Sequence, residues 1–272
     1  MAKISIIMGI YNCADTLSEV IDSILNQTYT DWQMIMCDDG SSDNTYKVAN
    51  SYVAKYPKKF VLIKNECNQG LNYTLNHCLK YADGEFIARM DGDDISMPTR
   101  FEEELRAFKE HPDISIVSTQ MLYFDENGVF GKSNNDGYVK KESFPKGTPF
   151  CHAPCMVKKE AFDAVKGYAV SKHLLRMEDY DLWTRMYEQG YKGYNIGKPL
   201  YKMRDDRNAV KRRKYKFRIN EAYVIYKAVR NLKLQKKDYL YVLRPLVLGL
   251  VPTPLYVYLH KKRLGRKEFI LK

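Results

Sequence analysis

Short apolar runs alternate with amphipathic segments along the first part of the chain. Ile4–Met8, Gln33–Cys37, Phe60–Ile63, Glu85–Met90 and Ile114–Thr119 read as buried strands. Between them, Ala14–Leu25 repeats apolar residues at helical spacing (Leu17, Val20, Ile21, Ile24, Leu25). Thr45–Lys55, Leu71–Lys80 and Thr99–Lys109 read the same way. Strand-length apolar runs separated by helix-period segments predict βαβ units and a largely parallel sheet flanked by helices, an α/β fold.

The pattern changes over residues 121–150, where Gly, Asn and Lys become common. Glu126-Asn127-Gly128 is a turn signal between two strand-like pieces, so a hairpin and a mobile loop are expected here. Glu160–Val165 and Asp179–Glu188 read as helices, and Lys211–Leu232 as a long basic, aromatic helix. No internal repeat or low-complexity segment stands out.

Composition adds a division. The chain has 272 residues and 45% hydrophobic residues, enough for a core. Its net charge of +11 is uneven: residues 201–272 hold 21 Lys/Arg against 5 Asp/Glu, so the rest is slightly acidic. A basic tail on an acidic body predicts that the tail faces something anionic. The six cysteines (Cys13, Cys37, Cys67, Cys78, Cys151, Cys155) show no C-x₂-C zinc spacing. Several lie in apolar runs and read as core thiols suited to a reducing compartment. The chain starts almost directly on a strand, so no signal peptide is expected.

Candidate chemistry sits where the strands end. Met90-Asp91-Gly92-Asp93-Asp94 places three carboxylates within four residues just past a buried strand. Like charges this close repel unless a cation neutralises them. A divalent metal with oxygen ligands, its shell completed by a phosphate-bearing ligand, answers that need, whereas a plain acidic turn does not use it. Cys37-Asp38-Asp39-Gly40-Ser41-Ser42-Asp43-Asn44-Thr45 ends the second strand and opens a helix. Its carboxylates suit a nucleobase N–H or a ribose hydroxyl, and Ser42 or Asp43 suits a helix cap. In a parallel sheet the carboxyl ends of strands carry the ligand site, and Asn12 falls there too.

In order along the chain stand Ile-Ile-Met-Gly-Ile-Tyr-Asn (6–12), Ser-Ile-Leu-Asn-Gln-Thr-Tyr (23–29), Cys-Asp-Asp-Gly-Ser-Ser-Asp-Asn-Thr (37–45) and Asn-Gln-Gly-Leu-Asn (68–72). Ala-Arg-Met-Asp-Gly-Asp-Asp-Ile-Ser-Met-Pro-Thr-Arg (88–100) and Glu-Asp-Tyr-Asp-Leu-Trp (178–183) follow. Over roughly residues 3–205 this series resembles the family 2 glycosyltransferases. The resemblance implies a GT-A fold, a Rossmann-like nucleotide-binding mixed sheet flanked by helices, over residues 1–205. Residues 1–95 would hold the nucleotide sugar, residues 96–205 the acceptor, and 206–272 would form a basic, tyrosine-rich helical extension.

The same resemblance implies residue roles. Asp38 and Asp39 would line a uridine pocket beside the backbone of Ile10, Tyr11 and Asn12, with Asn68 and Arg89 next to the nucleotide. Asp91, Gly92 and Asp93 form the DxD element, Asp93 as the direct Mn²⁺ or Mg²⁺ ligand, Asp91 on the metal, sugar or ribose, and Asp94 as the alternative in this set. Asp179 would be the general base of an inverting transfer from a UDP-sugar, with Glu178 as runner-up and Asp181 structural. On residue chemistry alone these carboxylates read as an acidic first helical turn, where the dipole favours them. His152, Asp94 and Trp183 are acceptor-side candidates. Many relatives carry a histidine after Tyr201-Lys202-Met203-Arg204; here Asp205-Asp206-Arg207-Asn208 follows instead. Arg204 or Arg207 on pyrophosphate, or Asp205 on the metal, are the substitutes.

Leu246–Leu259 is apolar but short for a membrane span and is interrupted by Pro252 and Pro254, with Lys261-Lys262-Arg263 after it. Apolar, tyrosine-rich and cationic together suit peripheral contact with an anionic membrane leaflet on its cytoplasmic face. Packing on the core or in a homodimer is the alternative. The expected reaction is sugar transfer to a saccharide acceptor, lipid-linked, in surface-polysaccharide assembly. A nucleotidyltransferase on a related scaffold competes, but Gly9-Ile10-Tyr11-Asn12 is not a Gly-rich phosphate loop. A nucleic-acid-binding module also competes; the tail contains no recognisable binding motif, and no nucleic-acid partner is expected.

Overall fold

Strand β1 (Ile4–Ile10) is buried on both faces, and its alternation decides what packs where. Ile4, Ile6, Met8 and Ile10 enter one hydrophobic cluster, while Ile7 enters a second on the opposite face. The computed structural model describes residues 3–204 and 214–251. Helix α1 (Ala14–Leu25) buries Leu17, Val20, Ile21 and Ile24 against the first face. Burial of each such side chain stabilises the fold by about 1.5–3 kcal/mol. Strand β2 (Trp32–Asp38), helix α2 (Thr45–Lys55), strand β3 (Phe60–Lys64), helix α3 (Leu71–Leu79) and strand β4 (Phe86–Arg89) follow. The four strands run parallel in the order β3-β2-β1-β4.

Beyond β4 the sheet changes direction. Strand β5 (Ile95–Ser96) and helix α4 (Arg100–Glu110) precede β6 (Ile116–Asp125). Strands β7 (Gly128–Lys132) and β8 (Gly137–Tyr138) occupy the segment read as a hairpin and loop, β7 pairing with β6 and β8 with the last strand. Strand β9 (Met156–Lys158) lies between β4 and β6, antiparallel to both. Helix α5 (Lys159–Ala164), helix α6 (Glu178–Glu188) and strand β10 (Gly193–Arg204) complete this half. β10 runs parallel to β6, and β5 closes the edge antiparallel to β10. The sheet is thus mixed. The largely parallel arrangement read from the βαβ alternation holds from β3 to β4 and ends at β9, a three-residue strand too short to show in the pattern.

Helix α7 (Tyr215–Asn231) begins four residues later than the helix read from Lys211. Residues 205–213, including Asp205, Arg207 and the Lys211-Arg212-Arg213 run, lie outside the described residues. Val224, Ile225, Ala228 and Val229 of α7 are buried in the cluster that holds Leu182, Trp183 and Met186 of α6. Helix α7 therefore packs into the α6 side of the sheet, because its apolar residues recur at helical spacing behind the basic ones. A short 3₁₀ stretch, Lys236–Val242, leads into α8 (Leu243–Leu250). Among the described residues no helix is long and apolar enough to cross a membrane. The later apolar residues 252–259 and Lys261-Lys262-Arg263 lie outside them.

Candidate active site

The loops after β1 and β2 are knitted together. Asn12 adopts φ 48°, a left-handed conformation that Asn tolerates better than most residues. Its N–H donates to Ser41 Oγ at 3.0 Å, and its Oδ1 accepts from the Ser42 N–H at 2.9 Å. The Asp39 N–H donates to the Ile10 carbonyl at 2.9 Å, and the Cys13 N–H to Thr45 Oγ1 at 2.8 Å. Ile10 is buried, whereas Tyr11 is 50% exposed and lines the cleft.

Asp38 and Asp39 differ in what they do. Asp39 accepts from the N–H groups of Gln69 and Gly70, both at 2.9 Å, and from Asn65 Nδ2 at 2.7 Å. Both its oxygens brace the 65–70 loop, so its contribution to a nucleoside pocket is to fix that wall. Asp38 accepts from the Ser41 N–H through Oδ1, while its buried Oδ2 has no hydrogen-bond partner among the described residues and lies 3.9 Å from Lys64 Nζ. A buried acceptor left open is matched by a ligand N–H or O–H. Gly40 (φ +75°) lets the turn press on this wall: a Cβ there would lie 3.0 Å from the Asn68 N. Asn68 itself is exposed beside the turn.

The Asp91-Gly92-Asp93-Asp94 loop is held from three elements. Thr16 Oγ1 of α1 donates to the Gly92 carbonyl at 2.8 Å. Gly92 has no side chain because Cys13 Sγ would lie 2.8 Å from its Cβ. The Asp91 N–H donates to the Tyr201 hydroxyl at 3.3 Å, and the Asp91 carboxylate pairs with Arg89 Nη2 at 2.5 Å. Arg204, at the end of β10, donates its N–H to Asp94 Oδ1 at 2.8 Å and its Nε to the Asp93 carbonyl at 3.0 Å. Its Nη2 reaches Glu19 of α1 at 2.7 Å. Below the loop lies a fully buried pair, Arg100 and Glu104, 3.1 Å apart, with Arg100 also donating to the Arg89 carbonyl. Burial raises the Glu104 carboxyl to about 7 against the pull of Arg100.

These contacts sort the acidic residues. Asp94 is 2% exposed and committed to Arg204, so it supports the loop from beneath and does not face an acceptor. Burial, then Asp91 and Asp93, push its carboxyl well above the usual range. Asp93 lines a cleft of about 440 Å³ with Gly9, Tyr11, Asn12, Asp91 and Arg204. Among the described residues its carboxylate has no side-chain hydrogen-bond partner, and burial followed by the Asp91 charge raises it. Among the described residues no three His, Cys, Asp or Glu groups stand close enough to hold a metal by themselves. The donor set fits a hard divalent cation that takes one or two carboxylates here and its other oxygens from a bound phosphate and water. Such a cation would also relieve the repulsion that lifts the Asp93 and Asp94 carboxyls.

Helix α6 opens with Glu178, Asp179 and Asp181 in its first turn. Asp179 Oδ2 accepts from Thr148 Oγ1 at 3.1 Å. Burial raises the Asp179 carboxyl, while the Tyr180 N–H, the Thr148 hydroxyl and the Arg89 charge pull the other way. Burial and then Asp179 raise Glu178. A base for a sugar hydroxyl gains from a carboxyl held above its ordinary range. Asp181 is 1% exposed and pairs with Arg185 at 2.7 Å and Lys227 at 2.6 Å, a purely structural position. Arg89 is the link: ion-paired to Asp91, it also exerts its charge on Glu178 and Asp179.

The other two acceptor-side candidates divide. Trp183 is wholly buried and packs edge-on against Phe150 at 5.5 Å, so it forms the floor under α6 and touches no acceptor. His152 Nε2 pairs with the Tyr168 hydroxyl at 2.9 Å. Burial, with Arg89 adding to it, pushes His152 well below its ordinary value, so it is neutral and offers hydrogen bonds and no positive charge. Thr16, Glu19, Arg100, Thr148 and Tyr201 were not legible in the sequence as site residues. A lone threonine in a loop carries no local signal, and Arg100 reads as one more charged residue on a surface helix.

The profile of the family described as Glycosyl transferase family 2 matches residues 5–166. The glycosyltransferase candidate EpsE of Bacillus subtilis (strain 168) is 44% identical over 271 residues, covering 99% of this chain and 98% of that protein. The UDP-Glc:alpha-D-GlcNAc-diphosphoundecaprenol beta-1,3-glucosyltransferase WfgD of Escherichia coli is 30% identical over 217 residues, covering 78% and 81%. Among solved structures, S. aureus TarS 1–349 in complex with UDP superposes with a TM-score of 0.67 at 18% identity, covering 91% of this chain and 70% of that one. The mixed sheet with flanking helices is the one these proteins share, and the nucleotidyltransferase and nucleic-acid readings are set aside.

Proposed function

This chain belongs to glycosyl transferase family 2, and we propose that it transfers a sugar from a UDP-sugar, with inversion, to a lipid-linked saccharide in cell-surface polysaccharide assembly. The observation that carries the reading is Arg89, which pairs with Asp91 of the carboxylate loop while its charge also acts on the Asp179 carboxyl. The same guanidinium thus couples the carboxylate loop to the helix start that carries Asp179. The UDP ligand named for the S. aureus relative and the diphosphate-lipid acceptor named for the E. coli relative supply the substrate classes.

In this reading the nucleoside rests against Tyr11, Asn68 and the open oxygen of Asp38, with Asp39 bracing the wall. Asp93, aided by Asp91, would hold Mn²⁺ or Mg²⁺. When bound, the cation supplies Lewis-acid stabilisation of the charge that develops on the leaving diphosphate. Arg204 keeps the carboxylate loop in place and adds positive charge at the same edge. Asp179 accepts the proton of the acceptor hydroxyl as the new bond to C1 forms and the C1–phosphate bond breaks. Glu178 is the alternative base, its own carboxyl raised by burial and by the Asp179 charge.

Residues 1–95 serve the donor and 96–205 the acceptor, while residues from 206 onward approach an anionic membrane surface on its inner face. Leu240, Leu243, Val247 and Leu250 are all exposed, Leu240 and Leu250 at 71% and 75%, and recur at helical spacing. Lys236, Lys237 and Arg244 lie among them. An apolar ridge with basic flanks favours an interfacial position.

The deciding experiment measures UDP release from a panel of UDP-sugars with Mn²⁺, beside an EDTA control and an Asp179→Asn variant. Slow release from one donor, abolished by EDTA and reduced at least about 100-fold in the variant, is expected for a lost general base. UDP release that survives EDTA, or a variant as fast as the parent, would reject the metal or the base assignment respectively.

A further inference from the structure

A second polar hollow lies beside the base, outside the donor cleft. It measures about 440 Å³ and is lined by Asn134, Tyr138, Lys140, Lys146, Thr148 and Asn195, among others. We propose that this hollow receives the sugar-diphosphate end of the lipid-linked acceptor. The proposal rests on the function proposed above and locates the acceptor within it.

Three features carry it. Thr148 lines the hollow and donates to Asp179 Oδ2 at 3.1 Å, so the base stands at its rim. The walls are amides and hydroxyls, which match sugar hydroxyls. The Tyr138 ring is 48% exposed and is fixed by its hydroxyl, 3.1 Å from both His111 Nδ1 and Asp113 Oδ1. A ring held in place offers a flat apolar surface at little entropic cost. The charge balance is positive: Lys140 and Lys146 have no acidic partner among the described residues, and Asp136 is the single carboxylate in the lining. Two unpaired ammonium groups suit a diphosphate.

The position of α8 favours a diphosphate attached to lipid over an acidic sugar. Arg244 of α8 donates to the Lys146 carbonyl at 2.8 Å, so the apolar ridge of Leu243, Val247 and Leu250 begins next to the cationic side of the hollow. A ridge seated in the bilayer surface would hold Lys146 at headgroup level, where the diphosphate of a membrane lipid lies.

The test uses the full chain, radiolabelled UDP-sugars and detergent-dispersed lipids extracted from membranes of the source cells. The parent is compared with the Lys140→Ala/Lys146→Ala and Lys140→Arg/Lys146→Arg double variants, with thermal melting to check folding. Expected are label in a lipid that mild acid cleaves, as a sugar diphosphate, and an acceptor KM raised about tenfold or more by the alanine pair, the loss of two charge-assisted contacts. The donor KM stays in place, and the arginine pair restores most of the effect. An unchanged acceptor KM in the alanine pair, or label in an acid-stable glycolipid, would overturn the inference while leaving the transferase reading intact. No label in any lipid with the parent chain would instead remove the lipid-linked acceptor, and this inference with it.

Discussion

Lys227 Nζ on α7 lies 2.6 Å from Asp181 Oδ1 on α6, two residues past Asp179, the proposed base. Asp181 is 1% exposed and shares its charge between Lys227 and Arg185, so the helix that follows residue 206 is fastened to the helix that carries Asp179. Asn220 strengthens the same seam by donating to the Lys172 and Leu175 carbonyls just before α6. The basic end of the chain thus begins as a support for the active site.

Replacing Lys227 by Ala leaves Asp181 buried with one cation in place of two. Stability should fall by about 1–3 kcal/mol, since part of a buried charge is left uncompensated. Urea unfolding checks the loss. A midpoint equal to that of the parent would mean that the α6–α7 seam rests on apolar packing alone.

Thr148→Val keeps the volume and removes the hydroxyl that donates to Asp179. That hydrogen bond favours the ionised carboxyl, so its loss moves the already raised Asp179 carboxyl further up. Asp179 must be ionised to accept a proton, so the rate falls as pH drops through its pKa. The acid limb of the rate profile should therefore shift to higher pH in the variant, with the rate recovered on the alkaline side. A pH–rate profile of sugar transfer reads this directly, and an unshifted acid limb would detach Thr148 from the base.

Leu243→Ser/Val247→Ser/Leu250→Ser removes most of the exposed ridge of α8 without touching the buried side of that helix. Cosedimentation with anionic vesicles should drop about tenfold or more, three lost apolar anchors being worth more than enough for that change. Donor hydrolysis should stay at the parental rate. Vesicle binding equal to the parent would place the membrane contact elsewhere.

Much of this architecture could be read from the residue pattern, for a physical reason. α1 and α2 begin and end at the residues read from the sequence, because one face of each is buried and the other is polar. The acidic loop after β4 was legible because three carboxylates crowded past a buried strand repel one another and call for a cation. β10 was not, since Gly197 and Pro199 interrupt its alternation and its pairing with β6 slips twice around them. Arg100 and Glu104 look like surface charges, yet each is fully buried because the other neutralises it. Asp39 looked like a ligand contact and braces a loop, a difference that depends on Gln69 and Gly70 meeting it in space. The apolar stripe of α7 was masked by the basic residues on its outer side.

The reversal at β9 has an evolutionary consequence. β4 meets parallel β1 on one side and antiparallel β9 on the other, so the rim of the cleft is built from strand endings on the donor side and from a strand beginning, with its lead-in residues 148–155, on the other. The segments that shape the two sides are separate stretches of chain, joined through the sheet and through side-chain contacts such as Arg204–Glu19. On the proposed division of the chain, insertions or exchanges between β7 and β9 would retune what is glycosylated while the handling of the nucleotide is inherited unchanged. A lineage can diversify its surface glycans by recombining one loop cassette against a constant engine.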